Sequence, residues 1–464
     1  MHSARLQNTL LLLASYAVYY LLDAHMLWLL VVATAVAYAI GWGIEWLESH
    51  SKPRLASALT TAGVCLALAL LFVFKYLDFF ASAFVEAFTR LGIPLSWTAL
   101  HLVLPVGLSF YSFKIISYFV DIHRGRLRAE HDVVALATYV AFFPTILAGP
   151  IDRPGEFLPQ LRTPRRLAYR HLADGAKMML WGAFMKICIA DVLAPHTDLA
   201  WQFSYHDQHL ALWAFLMYPV QMYADFSGYS LLAIGAGRML GLRVTTNFRQ
   251  PFLARNVAEY WHRWHISLTS WVTDYVFMPL NVRWRNLGRV GVAMAVAVNL
   301  VTIGLWHGAN FTYLLFGLYH ALLFIPLIYS GAFARNKKMR TNRLGLPTTN
   351  DVLRMLLTYL LVAVAFVLFR APDVEAAFTF FAHLIQPVLP SLPVVSGTRW
   401  GYLLIIFAAL AAEYVFRRLP SPLQFQGNGL LRHRIVRYAI YYALIFLIYA
   451  YSDGTAAEFI YTQF

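Results

Sequence analysis

Residues 291–334 contain no Asp, Glu, Lys or Arg, and only His307 and His320 interrupt the run with groups that titrate near neutral pH. A helix needs about 20 apolar residues to cross the hydrocarbon core of a bilayer, so this stretch is long enough for two spans back to back. Residues 26–44, 55–74 and 133–151 are free of the same four residue types. In hydrocarbon every backbone N–H and C=O must be satisfied internally, which makes such runs helices. Only 13% of the 464 residues are charged and 60% are hydrophobic, whereas soluble domains are about 25% charged. The sequence therefore predicts an all-α polytopic membrane protein with no separate soluble domain, read as one integral-membrane domain over residues 1–464.

Spanning or embedded segments are expected at 8–23, 26–47, 55–75, 98–121, 133–150, 173–193, 208–223, 226–241, 290–306, 309–331, 352–370, 400–416 and 436–452. Shorter apolar pieces at 77–88, 264–280 and 374–388 suit interfacial or re-entrant positions, leaving about 11 true spans. Arg5 followed by apolar residues 10–22 has the outline of a secretory leader, but no small-x-small cleavage site follows. It reads as a retained first helix. With no internal repeat, the inverted-repeat plan of many transporters is not expected.

The net charge is +14. Basic residues gather in short loops: Arg124, Arg126 and Arg128; Arg162, Arg165 and Arg166; Arg335, Lys337, Lys338, Arg340 and Arg343; Arg417 and Arg418; Arg432, Arg434 and Arg437. That is the positive-inside pattern of cytoplasmic loops, suited to anionic lipid headgroups rather than nucleic acid. Cys65 and Cys188 lie in or beside apolar runs and offer neither a disulfide framework nor a cysteine metal site.

Three places break the helical pattern. Phe142-Phe143-Pro144-Thr145 leads into Ala148-Gly149-Pro150-Ile151-Asp152-Arg153-Pro154, where prolines end a span abruptly. Irregular backbone at membrane depth must lie against protein or a water-filled cavity, so this segment is expected to line something. Residues 247–279 carry Arg249, Arg255, Asn256, Glu259, His262, Arg263, His265 and Asp274 threaded with Tyr260, Trp261, Trp264 and Trp271. That mixture suits a helix lying flat, or one buried around a polar cavity. Gly304-Leu305-Trp306-His307-Gly308 joins two charge-free helices, with glycines that permit close backbone approach.

An ionisable side chain embedded in a membrane is a functional candidate by default, and histidine exchanges protons near neutral pH. His307 is the first candidate. His265 is the second, and two histidines can divide the work of base and orienting partner. No His-x3-His spacing or convergent carboxylates point to a metal. Asp225 reads as a helix N-cap or, nearly as readily, as a buried partner for Arg or His, Asn256 as an N-cap, and Glu259 with Arg263 as an ion pair on one helix face. His101, His123 and His320 receive no role.

These residues resemble the membrane-bound O-acyltransferase family, in its branch of alginate O-acetyltransferases and D-alanyl transfer proteins. The matching pieces run in order from Leu104-Pro105-Val106-Gly107-Leu108-Ser109-Phe110-Tyr111 through Phe142-Phe143-Pro144-Thr145, Asp225-Phe226-Ser227-Gly228-Tyr229-Ser230, Asn247-Phe248 and Pro251-Phe252. Trp264-His265-Ile266-Ser267-Leu268 and Leu305-Trp306-His307-Gly308 are the strongest, and Phe459-Ile460-Tyr461-Thr462-Gln463-Phe464 closes the series. His262 stands where the family's alginate branch usually has an arginine. The resemblance implies a multi-helix disc with a central tunnel, His307 and His265 as catalytic residues, and Asn256, Asp225, Trp264, Trp306, Ser267 and Arg263 about the substrates. It implies no tightly bound cofactor, with acetyl-CoA or another acyl thioester as donor. An exported polysaccharide becomes the final acceptor, reached through an extracytoplasmic partner protein from a bacterial cytoplasmic membrane. D-alanyl transfer to teichoic acid and a non-enzymatic transporter remain as alternatives.

Overall fold

The computed structural model describes all residues except 1–2, 94, 101, 205–207, 334–340, 343–344, 387–396, 426–428 and 453–464. The basic residues Arg335 to Arg340, Arg343 and the closing Phe459 to Phe464 motif thus lie outside the described residues. The described chain is helical, and its one β-bridge, Thr341 to Pro347, is isolated. Among the described residues, seven helices are long and apolar enough to cross a membrane: Ala24–Ser49, Pro53–Arg90, Tyr169–Gln202, Arg285–His307, Phe311–Tyr329, Thr349–Arg370 and Arg434–Tyr451. The other expected spans are shorter, broken or less apolar.

Two compact units divide the chain. The first holds residues 1–172 and 236–245. In it α1 (Ala4–Leu22) and α2 (Leu27–Ser49) precede α3 (Pro53–Leu71), which runs on through a π-turn at Phe72–Tyr76 into Leu77–Arg90. The piece expected separately at 77–88 is therefore part of one long helix. Glycines set the packing: a Cβ at Gly63 would meet the Phe119 ring at 2.9 Å. That ring belongs to α4 (Leu108–His123), which starts ten residues later than expected at 98, after Gly107 at φ +70°. Only a residue without a Cβ takes that conformation freely.

The proline-rich break behaves as its sequence implies. Helix α5 (Val133–Ala141) stops, a single turn covers Phe143–Ile146, and Pro154 opens the next helix, Pro154–Leu161. The freed backbone packs against protein. Lys114, buried on α4, donates to the Tyr139 carbonyl and to Thr145 Oγ1, each at 3.1 Å. Asp152 Oδ1 accepts from Thr245 N and Oγ1 at 2.9 and 3.0 Å.

The second unit holds residues 173–235 and 246–464. Helix α6 (Tyr169–Ala183) passes through a π-helical stretch, Phe184–Ala190, into Asp191–Gln202. Helix α7 (Gln208–Met239) is continuous over 32 residues, where two spans, 208–223 and 226–241, were expected. Asp225 is consequently mid-helix, which removes its reading as an N-cap. Its charge is met instead by Lys186 in the π-stretch, with Nζ 2.7 Å from Asp225 Oδ1 and 2.7 Å from Asp191 Oδ1. Two small residues bring these helices together: a Cβ on Gly182 would lie 2.6 Å from the Gly228 carbonyl oxygen. Between residues 247 and 283 the chain forms only short helices, including α8 (Val257–Trp261) and α9 (Ile266–Val272). Helix α10 (Gly288–His307) then packs on α11 (Phe311–Tyr329), where a Cβ on Gly317 would stand 2.7 Å from the Leu300 carbonyl oxygen. Helix α12 (Thr349–Arg370) lies against α11.

Candidate active site

His307 is the last residue of α10, and Asn310 caps the helix that follows by accepting from Thr312 N at 3.0 Å. The helix thus ends on a buried imidazole, 5% exposed. Its ring sits among Phe369 (centroids 5.0 Å apart), Trp306 (5.0 Å), Phe316 (6.3 Å) and Tyr313 (6.5 Å).

His265 reaches the same place from a different part of the chain. It stands between α8 and α9 at φ +42°, a left-handed conformation that a side-chain-bearing residue takes at a cost. Such strain persists where the surroundings over-determine it, and it gathers at functional sites. Here the surroundings are explicit. Arg249 N donates to Arg263 O at 3.0 Å and Ile266 N to Asn247 O at 2.8 Å, so the irregular segment 247–249 grips the backbone on both sides of His265. The ring is fully buried, with Phe226 edge-on at 4.6 Å, Trp306 at 5.6 Å and His307 at 6.4 Å. Its Nδ1 is 3.1 Å from Asn247 Oδ1. His265 lies outside the seven candidate spans, and burial pushes its imidazole well below the usual histidine range, to about 3. The ring is therefore neutral at physiological pH.

The residues expected about the substrates fall into three groups. Trp306 lies beside both imidazoles, and Ser267 is tied to His265 through Asn247, its Oγ donating to Asn247 Oδ1 at 2.8 Å. Trp264 neighbours His265 in the chain but turns its ring into a separate aromatic cluster, stacked on Tyr260 at 5.5 Å and edge-on to Phe248 at 5.1 Å. Asn256 and Arg263 belong to a cap network. Asn256 Oδ1 accepts from Glu259 N at 2.8 Å, and Glu259 pairs with Arg263 at 2.8 Å and Arg255 at 3.0 Å. Burial favours the neutral acid there, yet the Arg255 N–H and the two guanidinium groups hold Glu259 below its usual range. Asp225 faces Lys186, as described. Among the described residues no group of three or more His, Cys, Asp or Glu is placed to hold a metal ion.

Sequence reasoning passed over Asn247, Ser230, Phe226, Phe369 and Lys186. The first three lie in motifs matched above, so their positions were visible but not their contacts. Lys186 is an isolated cation in an apolar run, the signal that applied equally to His307. Phe369 carried no signal, since a phenylalanine in an apolar helix is ordinary core.

The fold is that of a multi-pass helical protein with two buried imidazoles 6.4 Å apart. The family model for membrane-bound O-acyltransferases matches residues 124–357. The chain is 34% identical over 386 residues to the probable alginate O-acetylase AlgI of Pseudomonas aeruginosa, covering 82% of this chain and 70% of that one. It is 30% identical over 399 residues to the peptidoglycan O-acetyltransferase of Helicobacter pylori, covering 79% and 71%. A teichoic acid D-alanyltransferase of Bacillus subtilis is 30% identical over 227 residues, covering 47% and 57%. The chain belongs to the membrane-bound O-acyltransferase family and is an O-acyltransferase.

Proposed function

We propose that this protein moves an acetyl group from a cytoplasmic acyl thioester, acetyl-CoA or a related donor, across the bacterial inner membrane for O-acetylation of an exported or cell-envelope polysaccharide. An extracytoplasmic partner protein completes the transfer, and residues 1–464 act as one acyltransferase domain. The reading is carried by the two buried imidazoles, 6.4 Å apart with the Trp306 ring beside both. The names of the Pseudomonas and Helicobacter relatives support the acyl group and the kind of acceptor.

The chemistry follows from two imidazoles held in a buried aromatic cage. An acceptor hydroxyl gives its proton to an imidazole nitrogen as its oxygen attacks the thioester carbonyl. The C–S bond breaks, the proton passes to the departing thiolate, and an ester and a free thiol result. His307 and His265 hold and move that proton, Trp306 and Ser267 border the site, and Asn256, Asp225, Trp264 and Arg263 support it from the neighbouring cap, ion-pair and aromatic networks. Excluding water suppresses hydrolysis of the thioester.

The test is the chemical identity of alkali-labile groups on envelope and exported polymers from strains with and without the gene. Loss of acetate from a single polysaccharide is the expected result. Loss of D-alanine instead would move the protein to the teichoic acid reaction, which the Bacillus relative's name favours. Unchanged esters of both kinds would point to a transporter.

A further inference from the structure

Three side chains, His265, Ser267 and Ser230, and the backbone N–H of Ser267 surround the Asn247 amide, and their hydrogen positions can be assigned from chemistry. Asn247 is fully buried. A backbone N–H can only donate, and Ser267 N lies 3.3 Å from Asn247 Oδ1. That contact fixes which end of the amide is oxygen, an assignment that ring and amide geometry alone leave ambiguous. Ser267 Oγ donates to the same oxygen at 2.8 Å, and Asn247 Nδ2 donates to Ser230 Oγ at 3.0 Å. An amide oxygen only accepts, so His265 Nδ1, 3.1 Å away, must carry the proton toward it.

We propose that Asn247 is a positioning residue that holds His265 in the Nδ1–H tautomer, making Nε2 the nitrogen that accepts the proton of the acceptor hydroxyl. The inference rests on the acyl-transfer reading above. Asn247 is suited to this by its reach in two directions. Its backbone oxygen takes Ile266 N, its side chain takes the ring of His265, and Ser230 on α7 holds the amide from behind. The ring is thus fixed in tautomer and rotation at once, at a residue whose backbone is already strained. Neutral imidazole has one donor and one acceptor nitrogen, so a committed Nδ1 leaves Nε2 with the lone pair.

The test uses the full chain in membranes, comparing wild type with Asn247→Leu and the near-isosteric Asn247→Asp. Ring ¹⁵N NMR of histidine-labelled protein, with the His265 signal assigned by its loss in His265→Gln, reads the tautomer directly. The expected wild-type signature is a protonated Nδ1 and an unprotonated Nε2, with Asn247→Leu losing that fixed state. In vesicles supplied with radiolabelled acetyl-CoA, Asn247→Leu is expected to lower kcat by roughly 10–100-fold, the range for loss of a residue that orients a functional histidine, with KM unchanged. Asn247→Asp keeps the acceptor but sets a carboxylate beside the ring, so it is expected to retain transfer and shift the acid limb of the pH profile upward. A wild-type ring protonated at Nε2, or an Asn247→Leu ring identical to wild type, would overturn the inference. The spectrum decides this even where vesicles transfer no label, an outcome that would count against the proposed function instead.

Discussion

Replacing Lys186 with methionine is expected to destabilise the protein far more than removing the whole charge pair. Lys186 Nζ lies 2.7 Å from both Asp191 Oδ1 and Asp225 Oδ1, and the Asp225 side chain is only 1% exposed. At that distance each contact has a gross attraction of ~6 kcal/mol for an effective dielectric constant of ~20. Desolvation of the three charges offsets most of it. The loss on deleting one partner is a different quantity, because it leaves charge buried without compensation, and runs to about 3–5 kcal/mol. At 1.36 kcal/mol per decade, that is a fall of ~10²–10⁴ in the folded-to-unfolded ratio. Lys186→Met, Asp225→Asn and the double variant, purified as the full chain in detergent, are compared by thermal unfolding followed through tryptophan fluorescence. The double variant should recover more than half of the Lys186→Met loss, since a neutral pair buries no orphaned charge at position 225. A Lys186→Met protein as stable as wild type, or single losses that simply add, would refute the argument.

Gly308→Ala probes the cage around His307. Gly308 has an extended φ of −173°, open to any residue, but a Cβ there would overlap the Tyr313 ring. Overpacking of this kind costs about 1–3 kcal/mol, and polymer acylation should drop at unchanged protein abundance. At position 265, glycine should give a more stable protein than alanine by ~1 kcal/mol, because only glycine takes the left-handed backbone freely. Comparison of the two unfolding midpoints checks this. Burial lowers the His265 pKa in the folded state, so the unfolded chain binds more protons below pH ~6.5. Stability should therefore be fully present above that value and fall as pH drops toward the folded pKa. His265→Gln should flatten that slope in pH-resolved unfolding, and a slope unchanged by the substitution would count against a neutral buried ring.

Much of this organisation was legible in the sequence because the physics of hydrocarbon leaves few options. A run without charge has to be a helix, and a histidine inside one has to be sheltered, so His307 stands out in the sequence. His265 was legible for a weaker reason, its place among tryptophans and charges in a segment unlike a lipid-facing helix. The prolines at 144, 150 and 154 marked a real break. Helix ends were less legible. Asp225 suggested a boundary between two spans, but a carboxylate can sit mid-helix when a cation from another element meets it, and Lys186 lies 39 positions away in sequence. The tie from Asn247 to His265 was hidden for a similar reason. Local patterns report the face and the period of a helix, whereas this contact depends on how an irregular segment and a strained turn lie side by side.

The most direct test of the central claim replaces His307 and His265 separately with alanine in the native host and measures ester-linked acetate on exported and envelope polysaccharides, with membrane abundance of each variant held to wild type. The account predicts that both variants lose the acetate of one polymer, as a gene deletion does. Full acetylation in either variant at normal abundance would contradict a two-histidine site.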